Sequence, residues 1–165
     1  MAALAEEHLI RLDVNGTTYD LVVEPRRTLC DVLRDDLDQT GTHVACEQGI
    51  CGVCTVLLDG EPVRSCLVLA VQADDRTVET IESIADGDEL SDLQQEFIAQ
   101  RALQCGFCTP GFLTLSTWFL RTREDPSDEE IRQMVASNLC RCTGYQGIMT
   151  AVKNIRDTRR AESQN

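Results

Sequence analysis

Two pairs of closely spaced cysteines in the second half of the chain constrain its fold more than any other feature. Residues 104–111 contain a C-x-x-C pair, and residues 138–145 contain a C-x-C pair after 31 intervening residues. Thr109 is expected to cap the helix that follows the first pair, and Thr143 with Gln146 to form a capping box after the second. The positive end of a helix dipole favours thiolate over thiol. Four thiols at two such ends predict a bound metal or metal cluster.

A second cysteine motif lies in the first half of the chain. Residues 46–54 have the spacing C-x4-C-x2-C, and a fourth cysteine follows after 11 further residues. This is the ligand spacing of plant-type [2Fe–2S] ferredoxins. Gly49 and Gly52 lack the side chains that would keep the loop backbone away from the sulfides of a cluster. The motif therefore predicts a [2Fe–2S] cluster with four thiolate ligands, namely Cys46, Cys51, Cys54 and Cys66.

Cysteine number and charge narrow the class of protein. Nine cysteines in 165 residues favour metal binding or redox work, since stable disulfides are rare in a reducing cytosol. We expect the ninth, Cys30, to be a partly buried thiol and not a ligand. The net charge of −13 argues against nucleic acid and against an anionic membrane surface as partners. No apolar stretch is long enough to span a bilayer and no basic-then-apolar leader is visible, so a cytoplasmic location is expected.

The first half of the chain predicts a β-grasp domain over residues 6–82. Asn15-Gly16 is a preferred hairpin dipeptide between two alternating segments. Thr28 is expected to cap a short helix. Strands paired around a helix, with a cluster at one edge, make the β-grasp ferredoxin domain. The predicted strands cover residues 8–14, 17–23, 55–58, 62–69 and 77–80.

The second half predicts a helical domain over residues 88–160. Ser91 is expected to cap the first helix, and Ser127 with Glu130 to form a capping box at the third. Apolar residues recur with the helical period, and Ile98 and Leu139 are expected to face inward. The predicted fold class is α+β, with a β-grasp domain followed by a four-helix domain. The predicted helices cover residues 91–103, 110–123, 127–139 and 145–160.

The ordered set of motifs closely resembles the small iron–sulfur subunit of the molybdenum hydroxylases. This is the xanthine oxidase/dehydrogenase family, which includes carbon monoxide dehydrogenase and the bacterial N-heteroaromatic hydroxylases. The resemblance extends over about residues 9–155, and all eight ligand positions match. Its marks are Gly41-Thr42-His43 before Cys46, the run Cys51-Gly52-Val53-Cys54-Thr55, and the segments 104–111 and 138–145.

The resemblance implies a division of labour among three subunits. A large subunit binds a molybdenum–pterin cofactor and hydroxylates a small substrate, and a medium subunit carries FAD. The present chain would hold two [2Fe–2S] clusters and relay electrons between those cofactors, in a dimer of heterotrimers. By the same resemblance Gln104 and the sulfur of Cys142 would approach the pterin.

The resemblance also assigns the ligands, and the residues themselves show no catalytic constellation, so no catalytic residue is expected on this chain. Both histidines, His8 and His43, are expected to be structural. The cluster nearer molybdenum would be held by Cys105, Cys108, Cys140 and Cys142. The cluster nearer the flavin would be held by Cys46, Cys51, Cys54 and Cys66.

Two other classes of protein use cysteines in this number. Four cysteines are a common zinc site, but the spacing C-x4-C-x2-C with a distant fourth cysteine differs from the paired C-x-x-C of zinc ribbons. A free-standing [2Fe–2S] ferredoxin or redox sensor would explain the first half of the chain. It would leave the helical half, with its second set of cysteines, without a purpose.

Overall fold

The computed structural model describes residues 7–163 of the chain. Residue 6, where the first predicted domain begins, lies outside this range. Residues 1–5, to which the prediction about a leader also refers, lie outside it as well. Within residues 7–163 the longest helices are too short or too polar to cross a bilayer.

A five-stranded mixed sheet occupies the first half of the molecule. Its strands are His8–Val14 (β1), Thr17–Val23 (β2), Thr55–Leu58 (β3), Glu61–Arg64 (β4) and Arg76–Glu79 (β5). Their order in the sheet is β2-β1-β5-β3-β4, with β1 and β5 parallel and the other neighbours antiparallel. Asn15 and Gly16 both have positive φ, as the predicted type I′ hairpin turn requires.

Two strand predictions need correction. The strand expected over residues 62–69 ends at Arg64, and a 3₁₀ turn, Ser65–Leu67, carries Cys66 instead. The turn bends the chain so that Cys66 is buried beside the other cysteines, which a continuing strand would not do. The last strand lies one residue earlier than expected.

A short helix covers one face of the sheet. Thr28 caps the helix Leu29–Asp31 (α1), since its hydroxyl accepts from the Asp31 N–H at 3.1 Å and Asp31 accepts in return from the Thr28 N–H. A π-helical turn, Val32–Asp36, continues α1. The buried side chains of both pack against apolar residues of the sheet. The members of this first core include Leu29, Val32, Leu33, Ile10, Leu12, Val56, Leu58 and Val78.

Helices make up the second half of the molecule. They are Asp92–Ala99 (α2), Thr109–Thr122 (α3), Asp128–Ala136 (α4) and Gln146–Ser163 (α5). Ser91 and Ser127 form capping boxes with Gln94 and Glu130 at the starts of α2 and α4. A second core, separate from that of the sheet, lies among these helices. The α+β class is confirmed. The largest buried side chains of this core include Phe97, Phe112, Phe119, Ile131 and Ile148.

Two helices are shorter than the apolar pattern predicts. α2 ends near Gln100, because Arg101 takes a positive φ that turns the chain back, and Ile98 is 58 % exposed. α4 ends at Ala136, so Leu139 lies beyond it and is 49 % exposed. Leu139 directly precedes Cys140, and its N–H donates to the Cys51 carbonyl oxygen instead of continuing the helix.

The sheet and the helices pack directly on each other. α3 lies across β3 and β4, so β3 is buried on both faces. Gly111 makes this approach possible, because a Cβ at that position would lie 2.3 Å from the Gly52 carbonyl oxygen and 2.9 Å from the Val53 Cα. The start of α3 therefore rests on the backbone of the first cysteine loop.

Candidate metal centres

The first candidate centre is the loop between α1 and β3, completed by the turn after β4. Cys46 lies half-exposed at its start, and its Sγ accepts from the backbone N–H groups of Cys51 at 3.4 Å and Gln48 at 3.5 Å. These N–H groups, that of Cys51 first, lower the pKa of the Cys46 thiol to about 6. A thiolate is the form that ligates a metal, so the loop backbone prepares Cys46 for that task.

Cys51 is half-exposed like Cys46, whereas the last two thiols of this centre are buried. Cys54 and Cys66 are 2 % and 8 % exposed and lie against each other. Burial first, and then the neighbouring Cys54 thiol, raise the pKa of Cys66 to about 12. Two buried thiols in contact are the chemistry of a metal-ligand pair, because a bound metal deprotonates its thiols.

Cys30 occupies the same buried pocket. It is 1 % exposed and packs against Cys54, Cys66 and Val44. Burial raises its pKa to about 11. The prediction of a partly buried thiol at the edge of α1 was therefore wrong, because the edge of this short helix is covered by the turn that carries Cys66.

The two predicted glycines of the loop are required by its shape. Gly49 and Gly52 have φ of +74° and +77°, values that side-chain-bearing residues rarely adopt. A Cβ on Gly49 would lie 2.4 Å from Leu67 Cδ1, and one on Gly52 would lie 2.0 Å from Asn138 Oδ1. The loop is thus wound tightly, with its N–H groups turned toward sulfur.

The second candidate centre joins the ends of two loops in the helical half. Cys105 and Cys142 are exposed, and their Sγ atoms are 3.6 Å apart. Two thiolates on one tetrahedral metal, with bonds of about 2.3 Å, would be about 3.8 Å apart. Cys108 and Cys140 form the second, more buried pair, in which burial first and then the Cys140 thiol raise the pKa of Cys108 to about 12.

Thr143 serves the second centre and not the helix that follows it. Its hydroxyl lies 3.0 Å from Cys140 Sγ, and its N–H donates to the same sulfur at 3.4 Å. Burial acts to raise the pKa of Cys140, but these two contacts bring it below its usual value. The predicted capping box is absent because Tyr145 has a positive φ and α5 begins only at Gln146.

The predicted cap of α3 is also wrong. Thr109 is the first residue of α3, Cys108 holds the N-cap position, and Pro110 lies in the first turn. The hydroxyl of Thr109 is buried and has no hydrogen-bond partner among residues 7–163. α3 therefore begins directly at a cysteine, and its first N–H, that of Thr109, donates to the Gly106 carbonyl oxygen at 3.1 Å.

The chemistry of the donor set fits two [2Fe–2S] clusters. The eight thiols fall into four close pairs, which suits two irons with two thiolates each. Within residues 7–163, no three His, Cys, Asp or Glu side chains are grouped as around a single metal ion. This pairing fits a four-cysteine zinc site less well. The pairs are Cys46 with Cys51, Cys54 with Cys66, Cys105 with Cys142, and Cys108 with Cys140.

The two centres are joined by direct contacts between their loops. The Leu139 N–H, next to Cys140, donates to the Cys51 carbonyl oxygen at 2.8 Å. On another side, His43 Nδ1 lies 2.8 Å from the Phe107 carbonyl oxygen, and the two rings stack with centroids 4.9 Å apart. Since a carbonyl only accepts, Nδ1 carries the proton, and this contact links the segment before the first loop to the second loop.

Gln104 lies at the exposed end of the second centre. It precedes Cys105, and like Cys142 and Gly144 it is an exposed residue. Phe107 is 46 % exposed beside them.

The residues that sequence reasoning missed are those that join the centres, Asn138 and Arg64. Asn138 is the first residue of the C-x-C segment 138–145, but nothing in the sequence indicates its partner 86 residues away.

Comparisons with known proteins define the class first. A family of 2Fe-2S iron–sulfur cluster binding domains matches residues 12–105, and a family of [2Fe-2S] binding domains matches residues 80–153. The chain is 49 % identical over 154 residues to the caffeine dehydrogenase subunit gamma of a Pseudomonas strain, covering 92 % of both chains. It is 44 % identical over 144 residues to the nicotinate dehydrogenase small FeS subunit of Eubacterium barkeri, covering 87 % of this chain and 92 % of that one.

A solved structure agrees with these relatives. A chain of quinoline 2-oxidoreductase from Pseudomonas putida 86 superposes with a TM-score of 0.89 and 44 % identity, covering 94 % of this chain and 97 % of that one. The chain thus carries [2Fe–2S] binding domains. It belongs to the family of small iron–sulfur subunits of the molybdenum hydroxylases.

Proposed function

We propose that this chain is the electron-transfer subunit of a multi-subunit molybdenum hydroxylase. It would relay electrons from a molybdenum–pterin centre through two [2Fe–2S] clusters to FAD during oxidative hydroxylation of a small substrate. The observation that carries the proposal is the presence of two four-thiol centres whose loops touch. A free-standing ferredoxin or redox sensor is less well supported, because the relatives are subunits of larger enzymes.

The proposed ligands are the eight paired thiols. Cys46, Cys51, Cys54 and Cys66 would hold one cluster, and Cys105, Cys108, Cys140 and Cys142 the other. Each cluster, when bound, supplies one-electron redox chemistry. The chain itself contributes the thiolates, the backbone N–H groups directed at Cys46, and the Thr143 contacts to Cys140. Hydrogen bonds to sulfur and exposure both tune the potential of such clusters.

Two domains are proposed, a β-grasp ferredoxin domain over residues 6–82 and a four-helix [2Fe–2S]-binding domain over 88–160. Their support is the pair of separate cores, one between the sheet and α1 and one among α2–α5. A large molybdenum-binding subunit, a medium FAD-binding subunit and a cytoplasmic dimer of heterotrimers are proposed with them. We expect neither nucleic acid nor a membrane as partner, given the net charge of −13.

The exposed end of the helical-domain centre is the proposed contact with the large subunit. Cys105 and Cys142 are its most exposed thiols, so a cluster held there would lie close to the surface. Tunnelling weakens steeply with distance, so the pterin must approach this end. By this proposal Gln104 and Cys142 Sγ face the pterin, and Phe107 supplies an apolar contact.

Co-purification with hydrogen exchange tests both the function and the surface. The chain should purify with two larger subunits, one containing molybdenum and one flavin. In that complex, exchange of the backbone amides of residues 104–107 and 142–144 should slow relative to the isolated chain. The N–H groups of the exposed α4 face, for example at Arg132, serve as the internal control and should not change. A complex in which residues 104–107 keep the exchange rates of the isolated chain would contradict the proposed contact.

A further inference from the structure

The segment just before Cys140 is tied to the first cysteine loop by a closed ring of hydrogen bonds. The Asn138 side-chain N–H donates to the Gly52 carbonyl oxygen at 3.2 Å, and the Thr55 hydroxyl donates to the same oxygen at 2.6 Å. Arg64 closes the ring by donating to the Thr55 hydroxyl and, at 2.9 Å, to the Ser137 carbonyl oxygen. We call these five residues, Gly52, Thr55, Arg64, Ser137 and Asn138, the inter-loop latch.

The latch is built for one geometry. Asn138 is 1 % exposed and Thr55 is 3 % exposed, so their polar groups depend on one another and not on water. Oδ1 of Asn138 is buried without a hydrogen-bond partner among residues 7–163. It lies 2.0 Å from where a Cβ on Gly52 would stand, so only glycine leaves room for the amide. A buried amide whose oxygen has no hydrogen-bond partner lowers the stability of the fold, so stability alone does not explain Asn138.

The latch also lies where the two centres approach each other. Gly52 directly follows Cys51, and Asn138 is two residues before Cys140. Between them the Leu139 N–H donates to the Cys51 carbonyl oxygen at 2.8 Å. A displacement of Asn138 would therefore move one ligand of each centre relative to the other, while keeping all eight thiols available as ligands.

We propose that Asn138 and Arg64 are positioning residues that fix the separation of the two [2Fe–2S] clusters and thereby the rate of electron transfer between them. This inference rests on the proposed function and adds to it the residues that set the step between clusters. Neither residue touches a cluster ligand's sulfur in the structure. They act through the backbone of residues 51–52 and 137–139.

The test uses the assembled complex and the variants Arg64→Met and Asn138→Ser. Substrate is added anaerobically, and freeze-quench electron paramagnetic resonance follows the appearance of each reduced cluster and the magnetic splitting between them. We expect four irons per chain in both variants, a weaker splitting, and about a tenfold slower passage of the electron between clusters, which is less than the roughly 100-fold that a misplacement of about 1 Å can cost reacting groups. Arg64→Lys, which retains one donor, should recover part of the rate.

Arg121→Met is the matched control. Arg121 also links the two halves of the molecule, by an ion pair with Glu79 at 2.7 Å, but it lies away from the cysteine loops. It should leave the splitting and the inter-cluster rate unchanged. If Arg121→Met slows the electron as much as Arg64→Met, general loosening explains the effect and the positioning role is refuted.

The remaining outcomes separate the latch from the proposed function. Because Arg64 is only half-buried, its variant decides the matter even if Asn138→Ser fails to retain iron. Wild-type rate and splitting in an Arg64→Met protein with four irons would overturn the latch alone. A wild-type complex in which substrate reduces neither cluster would instead overturn the proposed function.

Discussion

Replacement of Cys142 by alanine should remove the helical-domain cluster and disconnect substrate from flavin. Alanine offers no substitute ligand. Loss of the Cys142 sulfur leaves Cys105 without the partner that now lies 3.6 Å away. Metal binding and local folding are coupled, so this cluster should be lost while the other, held by a different loop, remains. In the complex, substrate should still reduce molybdenum once. Steady-state turnover should fall by ~100-fold or more, equivalent to about 2.7 kcal/mol in the effective barrier.

Stopped-flow absorbance at the molybdenum, iron–sulfur and flavin bands would follow these steps separately. The matched control is Cys30→Ala, which removes a cysteine without removing a proposed ligand. Because Cys30 is fully buried beside Cys54 and Cys66, this change should cost about 1 kcal/mol of folding stability through lost packing. It should leave four irons in place. Flavin reduction at the wild-type rate in Cys142→Ala would mean that this centre is not on the electron path.

Replacement of Gly111 by alanine should destabilise the molecule where its two halves meet. In an unhindered helix, glycine to alanine gains up to about 1 kcal/mol, so the sign of the effect is itself informative. Here the added Cβ would lie 2.3 Å from the Gly52 carbonyl oxygen and 3.0 Å from that of Val53. Both are backbone atoms of the cysteine loop and cannot rotate away. We expect the free energy of unfolding to fall by about 2 kcal/mol, as overpacked sites do, with Tm lower by roughly 4–8 °C.

Gly147→Ala provides the comparison within the helical half. Its Cβ would lie 2.7 Å from the Gln100 carbonyl oxygen and 3.1 Å from the Ala102 Cα, so it too should destabilise. That clash lies between α5 and the chain after α2, away from the first loop. Thermal unfolding should therefore show losses for both variants, but only Gly111→Ala should also alter the magnetic splitting between clusters. A stabilised Gly111→Ala protein would show that α3 does not press on the loop.

The sequence predicts those features that depend on local chemistry. The Asn15-Gly16 turn, the cap at Ser91, the capping box at Ser127, and the α+β class follow from short patterns of residues, and the structure agrees with them. The cysteine spacing is of the same kind, because ligands on one loop must lie a fixed number of residues apart. The close thiol pairs in the structure are consistent with the ligand sets that these patterns predict.

The errors arise where the fold around the cysteines overrides the pattern of residue types. Thr143 has the sequence of a cap, yet its hydroxyl lies beside Cys140, because the positive φ of Tyr145 delays the helix. Cys30 lies in α1, but it is buried by a turn 35 residues further along the chain, which the apolar pattern of α1 does not predict. The contacts of Asn138 and Arg64 belong to the same class, since no period or spacing relates residue 52 to residue 138.

The presence of two [2Fe–2S] clusters on this one chain is most directly tested by its metal content together with electron paramagnetic resonance of the reduced protein. The account predicts a red-brown protein with four irons and four acid-labile sulfides per chain. Reduction should give two distinct [2Fe–2S] signals, because one centre is a wound loop beside the sheet and the other joins helix ends, with different hydrogen bonds to sulfur. Two irons per chain, or stoichiometric zinc, would contradict it.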